Sequence, residues 1–563
     1  MNNEKYVAYL NSLHNYNAQN PNAYGEKNVN NEFFQEVAVK VGLCTYIKTQ
    51  LLNEEPHMLI LTGHAGDGKT SIMYQVLKEF GVEFNADEKI SDITLPNGTK
   101  CRCIKDYSEL GDDEKLKILK ECVALPSMGE FVFMVSNTGP LINTFGELFE
   151  EDKRESAKID LIDAMDENSG EIKEIEGYKI GIINVASVDN TNFAVDFVRN
   201  LIKDSLWEKC AGCEKSSYCH ILNNRNLIVN NQQRVLEFLK DHYVWLVEHG
   251  IRLTVRSITE QLAYMLTGGT ECEQVVALDK NKMLFFNLFF GYIGLKNNER
   301  ANTILAVREA KNCAYDKKRL RADEKLMINC DYTVSFGSEM SSLLIESQKN
   351  DGYVSGWNEF LRRAYIFTNI EVDKEKLSRD NEDIFSKQFE RYLELREGNS
   401  TPSKSDANLI IDALSMMYLG KISDNSTSEI PITLNKTSGL TQNVQLVTGS
   451  IPTRKISLVQ NKTKDSVYDE EHVHYELKLK VDKEELDCVI SLPMLDYFEE
   501  LRNGIITTNI DPQLSHGVES LKAQLAKEFN DEDDDTIEMI ILKNNDSVDY
   551  RLEITGDKKI RSV

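Results

Sequence analysis

Short apolar runs alternate with segments of helical spacing through the first two hundred residues. Met58-Leu59-Ile60-Leu61 ends in a glycine-rich turn, the form of a strand buried on both faces, and Ser71 to Phe80 then carries a helical period. Further runs at Cys101–Ile104, Phe131–Val135 and Tyr178–Val185 are separated by helical segments such as Asp113–Leu125. This alternation predicts an α/β core, a parallel sheet with flanking helices. Upstream, Tyr6 to Asn31 is rich in Asn and Tyr without clear period and reads as irregular, whereas Glu32 to Leu52 regains helical spacing through Phe34, Val37 and Val41. Beyond about 220 the pattern is mostly helical, clearest at Gln232–Glu248, Ser257–Leu266 and Met283–Tyr292. A Ser/Thr/Asn-rich stretch near Asn425 marks a boundary, after which alternation such as His474–Val481 predicts strands. The expected order is a lead-in (1–50), a core (51–205), a cysteine-rich segment (206–225), a helical lid or bundle (226–424) and a smaller α+β C-terminal module (425–563). The acidic run Asp531–Asp535 reads as a solvated loop, and there is no internal repeat.

Composition narrows the function classes. A chain of 563 residues accommodates about three or four domains, and 41% hydrophobic with 28% charged residues is the balance of a protein with a large core rather than a disordered one. The net charge of −26 opposes bulk gripping of nucleic acid, since phosphate contacts depend on Lys and Arg displacing counterions. DNA contact would run through a local patch or a partner. The 11 irregularly spaced cysteines do not form the framework of a small secreted domain and read as reduced thiols. The polar start Met1-Asn2-Asn3-Glu4-Lys5 lacks the pattern of a signal peptide, and the most apolar stretch, Met283–Leu295, is 13 residues long and interrupted by Asn287, against about 20 for a span. A cytoplasmic protein without a membrane segment is expected.

The sharpest motif is Gly63-His64-Ala65-Gly66-Asp67-Gly68-Lys69-Thr70, a full match to G-x-x-x-x-G-K-[ST] between a strand and a helix. In that context backbone N–H groups and the positive end of the helix surround phosphates. Gly63, Ala65, Gly66, Asp67, Gly68, Lys69, Thr70 and Ser71 are the expected nucleotide contacts, with Lys69 on the β and γ phosphates and the Thr70 hydroxyl on Mg²⁺. The α/β core is thereby expected to be a P-loop NTPase. Hydrolysis also needs a second carboxylate and a group that orients water. Asp106 is the candidate for Mg²⁺ and Glu109 for the base. The carboxylates of such ATPases more often adjoin after a more apolar strand, and the alternative is that Asp106 and Ser108 cap the following helix. Asn137, at the end of the Phe131–Val135 strand, is a candidate for the γ-phosphate or the attacking water, against a plain turn former. Arg199, Arg252 and Arg256 are candidates for a positive finger. The guanine-selecting N-K-x-D is missing from the plausible positions, which favours ATP.

Cys210-Ala211-Gly212-Cys213 through Cys219-His220 packs three cysteines and a histidine into 11 residues. A Cys-x-x-Cys turn converges two thiolates on one ion, and Zn²⁺ takes four such ligands. Cys219 is the third and His220 the nearest fourth, although adjacent residues rarely reach one ion, so a remote cysteine stays open. An iron–sulfur cluster, reduced thiols without metal, and a redox pair at Cys210 and Cys213 also stay open.

Taken in order, the phosphate-loop motif, Asp106-Tyr107-Ser108-Glu109, the Asn137 strand end and the three-cysteine knot resemble the ATP-binding F subunit of bacterial DNA phosphorothioation-dependent restriction systems. Phe360-Leu361-Arg362-Arg363-Ala364-Tyr365 and Leu492-Pro493-Met494-Leu495-Asp496-Tyr497 extend the resemblance over most of the chain. It implies an antiviral ATPase acting with other restriction-complex subunits against DNA lacking the sulfur modification, and oligomerisation of the chain stays open. Two further classes stand beside it. One is a nucleotide-gated signalling or scaffold NTPase with little turnover. The other is a metabolic kinase, disfavoured by the long helical and strand-rich additions.

Overall fold

The computed structural model describes residues 3–16, 31–82, 88–277, 280–330, 332–351, 354–370, 374–422, 428–434, 443–469, 471–505, 510–529, 536–543, 546–554 and 560–562. The expected acidic loop at 531–535 lies outside the described residues. The chain divides into two compact units.

The first unit comprises Met1–Val247, Ile251–Ile384 and Lys464–His472. At its centre is a six-stranded sheet of β1 (Met58–Thr62), β2 (Ile90–Thr94), β3 (Lys100–Ile104), β4 (Phe131–Val135), β5 (Ile172–Ile175) and β6 (Tyr178–Asn184), in the order β2-β3-β4-β1-β6-β5. The inner strands β3, β4, β1 and β6 run parallel, as the apolar runs predict. The sheet is nonetheless mixed, because β2 and β5 join its edges as antiparallel hairpin partners. Both edge strands carry polar residues, Ser91 and Asp92 or Lys173 and Glu174, and so lack the continuous apolar signal.

Helices cover both faces of the sheet, which explains why β1 and β4 are buried throughout. Met58, Ile60, Val132 and Met134 point to one core with Leu119, Leu141 and Leu161 from helices Asp112–Ala124, Thr138–Gly146 and Glu151–Glu167. Leu59, Leu61, Phe131 and Phe133 point to the other with Ile47 and Met73 from helices Gly42–Leu51 and Lys69–Glu79.

The lead-in departs from its expected irregularity. Glu4–Ser12 is a helix that buries Tyr6, Tyr9 and Leu10, and Leu13 follows at the same spacing. The polar Asn11 and Ser12 before Leu13 hid that period. Glu32–Leu52 is two helices, Phe34–Val37 and Gly42–Leu51, broken by the extended Ala38. The remainder of this unit is largely helical, including Gln232–Glu248, which runs to the unit boundary, and Val255–Thr267. Met283–Tyr292 yields only Phe285–Phe289, stopped by Gly291 at φ +72°. Arg363, in helix Trp357–Thr368, is 1% exposed and holds Asp316 and Asn287 beneath the Tyr292 ring, so this part of the resemblance segment is core.

The second unit comprises Glu248–Gly250, Phe385–Thr463 and Val473–Val563 and is β-rich. It contains a three-stranded antiparallel sheet (Ile456–Lys462, Tyr475–Val481, Glu484–Val489) and a five-stranded one built around Val444–Pro452 and Thr536–Lys543. Helices Lys404–Leu419, Leu492–Arg502 and Pro512–Glu528 accompany them. Among the described residues, no helix is long and apolar enough to cross a membrane.

Candidate functional site

β1 delivers the chain to the glycine-rich loop at the edge where the parallel strands end. Two of the loop's positive-φ glycines are also closely crowded. Gly63 has φ +143°, and a Cβ there would meet the Asp67 carboxylate at 3.0 Å and the Ala186 N at 3.1 Å. Gly66 has φ +93° and is crowded by Thr254 and Arg256. Its carbonyl accepts the Arg256 N–H at 3.0 Å, so the start of helix Val255–Thr267 is bonded to the loop.

Asp67 is 2% exposed and works inside the loop. One carboxylate oxygen accepts the His64 N–H at 2.8 Å and the other faces Arg252 Nη1 at 2.9 Å, while Arg252 Nη2 donates to the Val185 carbonyl at 3.1 Å. The side chain of Asp67 therefore shapes the loop. Lys69 opens helix Lys69–Glu79 and is nearly buried. Its Nζ donates to the Gly63 carbonyl at 3.1 Å, the His64 carbonyl at 2.6 Å and Asn137 Oδ1 at 3.1 Å. Burial holds its pKa below the usual lysine range, helped by Arg256 and Arg252 and opposed by Asp67 and Asp106.

A cavity of about 320 Å³ opens beside the loop. Of the residues singled out in the sequence, Ala65, Gly66, Gly68, Lys69, Thr70, Ser71, Asp106, Glu109 and Asn137 line it, while Gly63 and Asp67 do not. Asp106 follows β3 with its side chain making no capping bond to the turn Tyr107–Glu109, and the next helix is preceded by Gly111. The capping alternative is thus not the arrangement found. Glu109 sits on the rim, its carboxylate 3.7 Å from Lys89 and 59% exposed. Asn137 precedes helix Thr138–Gly146 without capping it and turns its oxygen to Lys69. The three arginines separate: Arg256 lines the cavity, Arg252 braces Asp67, and Arg199 pairs with Asp196 at 2.8 Å away from the lining.

Much of the remaining lining is apolar. Tyr9 and Leu13, Phe34, Val37 and Val39, and Phe193 and Phe197 form it, the last two stacked with centroids 5.4 Å apart. None of these was singled out in the sequence as a ligand contact. The available signals were the helical spacing of Phe34 and Val37 and that of Tyr6, Tyr9, Leu10 and Leu13, which mark buried helix faces but no ligand.

The cysteine knot lies elsewhere in the same unit. Cys210, Cys213 and Cys219 line a cavity of about 20 Å³ together with Cys272, a residue that no local motif connects to them. All four are thiols. His220 is fully buried, but its Nε2 faces the Thr267 carbonyl at 3.2 Å and it is not part of the lining. Among the described residues, no group of three or more His, Cys, Asp or Glu side chains is positioned as it stands to hold a metal ion.

Set against known protein families, curated proteins and solved structures, the chain matches none.

Proposed function

We propose that the chain binds ATP with Mg²⁺ in the 320 Å³ cavity, as a P-loop NTPase, and hydrolyses it as a subunit of a bacterial DNA restriction complex directed at DNA lacking phosphorothioate modification. The observation that carries the nucleotide reading is the meeting of Lys69, Thr70, Asp106, Asn137 and Arg256 on one cavity beside a glycine-rich loop. Loop N–H groups and Lys69 supply the positive field that a polyphosphate needs. The Thr70 hydroxyl and Asp106 carboxylate are hard oxygen donors of the kind Mg²⁺ takes. Asn137 would exchange its bond to Lys69 for one to the terminal phosphate or a water. Arg256 would offset negative charge on the transferred phosphoryl group. The apolar part of the lining suits a purine, so both ends of a nucleotide find matching chemistry. The restriction role rests on the resemblance in motif order, and the net charge of −26 suits a subunit that reaches DNA through partners.

One observation favours a second reading, a nucleotide-gated scaffold with little turnover: the candidate base Glu109 is largely exposed and paired with Lys89. Steady-state hydrolysis by wild type and Lys69→Ala, with and without duplex DNA carrying or lacking phosphorothioates, separates the two. Turnover that disappears in the variant and rises with unmodified DNA supports the restriction ATPase. ATP binding with no turnover above that of the variant, in any of these conditions, supports the scaffold.

A further inference from the structure

We propose that the first unit contains a structural Zn²⁺ site of four thiolates, Cys210, Cys213, Cys219 and Cys272, with Cys272 rather than His220 as the fourth ligand. Cys272 is 53 residues from Cys219 in the chain, yet it shares the wall of the same small cavity. About 20 Å³ is room for one water-sized particle, since a site of 10–15 Å³ already holds a water.

The two segments are pinned together independently of the thiols. Lys215 Nζ donates to the carbonyls of Cys272 and Glu273, both at 2.9 Å, and Lys280 Nζ donates to the Ser217 carbonyl at 3.0 Å. Glu271, which starts the short helical turn at Cys272, accepts a bond from Asn11 at 3.0 Å. On the other side, the Cys213 N–H bonds the Cys210 carbonyl at 3.2 Å, the tight turn that a Cys-x-x-Cys pair uses to present two sulfurs to one ion.

The surroundings also bring N–H donors and cations to the sulfurs. Cys219 precedes the 11-residue helix His220–Asn230, and the N–H groups of Ile221 and Leu222 face its sulfur. Lys215 acts on Cys219 and Arg225 on Cys210, so cations stand beside a site that would carry two net negative charges once Zn²⁺ is bound. The four sulfurs share the wall of the cavity without being placed, as they stand, to hold an ion. Binding of Zn²⁺, with loss of four protons, would supply the attraction that draws them inward from the cavity wall.

His220 is poorly placed for this role. Its ring is engaged at the Thr267 carbonyl at 3.2 Å, outside the cavity lining.

The test is metal analysis of the full chain purified from zinc-supplemented medium, together with differential alkylation. One zinc per chain is expected, and removing it with a chelator should raise the alkylation of Cys210, Cys213, Cys219 and Cys272 while leaving Cys313 and Cys330 unchanged. Substitution with Co²⁺ provides a readout that needs no variant, because the intensity of the thiolate-to-cobalt charge-transfer band reports the number of sulfurs bound. Cys272→Ser and Cys213→Ser should each lose most of the zinc, and His220→Asn should retain it. Chain without zinc, iron with labile sulfide in its place, a three-sulfur cobalt spectrum, or zinc retained in Cys272→Ser but lost in His220→Asn would each overturn the proposal.

Discussion

The polar and the apolar parts of the large cavity's lining, called its two ends below, are built in opposite ways. The polar end comes mainly from consecutive residues, Ala65 to Ser71, joined by Asp106, Asn137 and Arg256. The apolar end is assembled from the helix at Glu4–Ser12, the bend around Phe34–Val39 and the helix at Phe193–Leu201. Recognition of phosphate is directional and is performed by backbone N–H groups, so a contiguous loop with glycines at fixed offsets can encode it. Burial of an apolar ring is non-directional and scales with area, so any aromatic or aliphatic side chains brought together will serve. The first kind of site leaves a motif and the second leaves none.

The largest effect is expected at the polar end. Lys69→Ala should reduce turnover by about 10³-fold, roughly 4 kcal/mol of transition-state stabilisation, and should weaken ATP far more than adenosine. Equal losses for both ligands in a titration would show that Lys69 does not act on phosphate, and the contrast between the ends would fail.

Next in size is the brace beneath the loop. Asp67 is buried and Arg252 is its charged partner at 2.9 Å. Arg252→Ala would leave that carboxylate without its cation, a loss of about 3 kcal/mol, at the lower end for breaking such a pair because Arg252 is 29% exposed. Thermal unfolding should show a lower midpoint, and Arg252→Ala with Asp67→Asn should recover part of the loss. A midpoint within error of wild type would remove Arg252 from the support of the polar end. Arg199→Ala, whose pair with Asp196 is half exposed, is expected to change neither stability nor turnover appreciably.

A pH effect of similar or smaller size comes from Glu260, one helical turn beyond Arg256. Burial raises its carboxyl to about 7, against a partial pull downward from Arg256. A carboxyl whose folded pKa is raised stays protonated in the native state while the unfolded chain ionises. Its contribution to stability is therefore complete below about 4.5 and is lost as pH rises through about 7. The change is at most on the order of 3 kcal/mol. Stability followed by denaturant unfolding from pH 4 to 8 should fall less steeply in Glu260→Gln than in wild type. Identical slopes would mean that the carboxyl is not held neutral.

The same contrast explains what could be read in the sequence. β1, β4 and most of β6 were legible because both faces are buried and the apolar run is unbroken. The antiparallel edges β2 and β5 were not, since their polar positions carry no core signal and their pairing is fixed by hairpin turns, as at Glu176-Gly177 with φ of +47° and +87°. Arg256 was one of three indistinguishable arginines until the bond from its N–H to Gly66 placed it on the loop. Cys272 could not be paired with the cysteine knot because the 52 residues between Cys219 and Cys272 include three helices, and only their packing returns the chain to Cys210. Contacts closed by tertiary structure leave no periodicity to find.

The smallest effect tests the apolar end directly. Phe197 is 4% exposed and stacks on Phe193 against the cavity. If a purine packs there, Phe197→Ala should cost about 1–2 kcal/mol of binding, about tenfold in Kd. Because the base is common to every adenine nucleotide, the loss should be the same for ATP, ADP and adenosine, the reverse of the Lys69→Ala pattern. Truncation also leaves a hole that can loosen the helix Phe193–Leu201, so Phe197→Leu, which keeps most of the volume, should fall between wild type and Ala. Calorimetry on the three ligands distinguishes the outcomes. A loss confined to ATP would place phosphate rather than base near Phe197, and unchanged affinity in Phe197→Ala would mean that the aromatic pair belongs to the core and that the cavity recognises its ligand from one end alone.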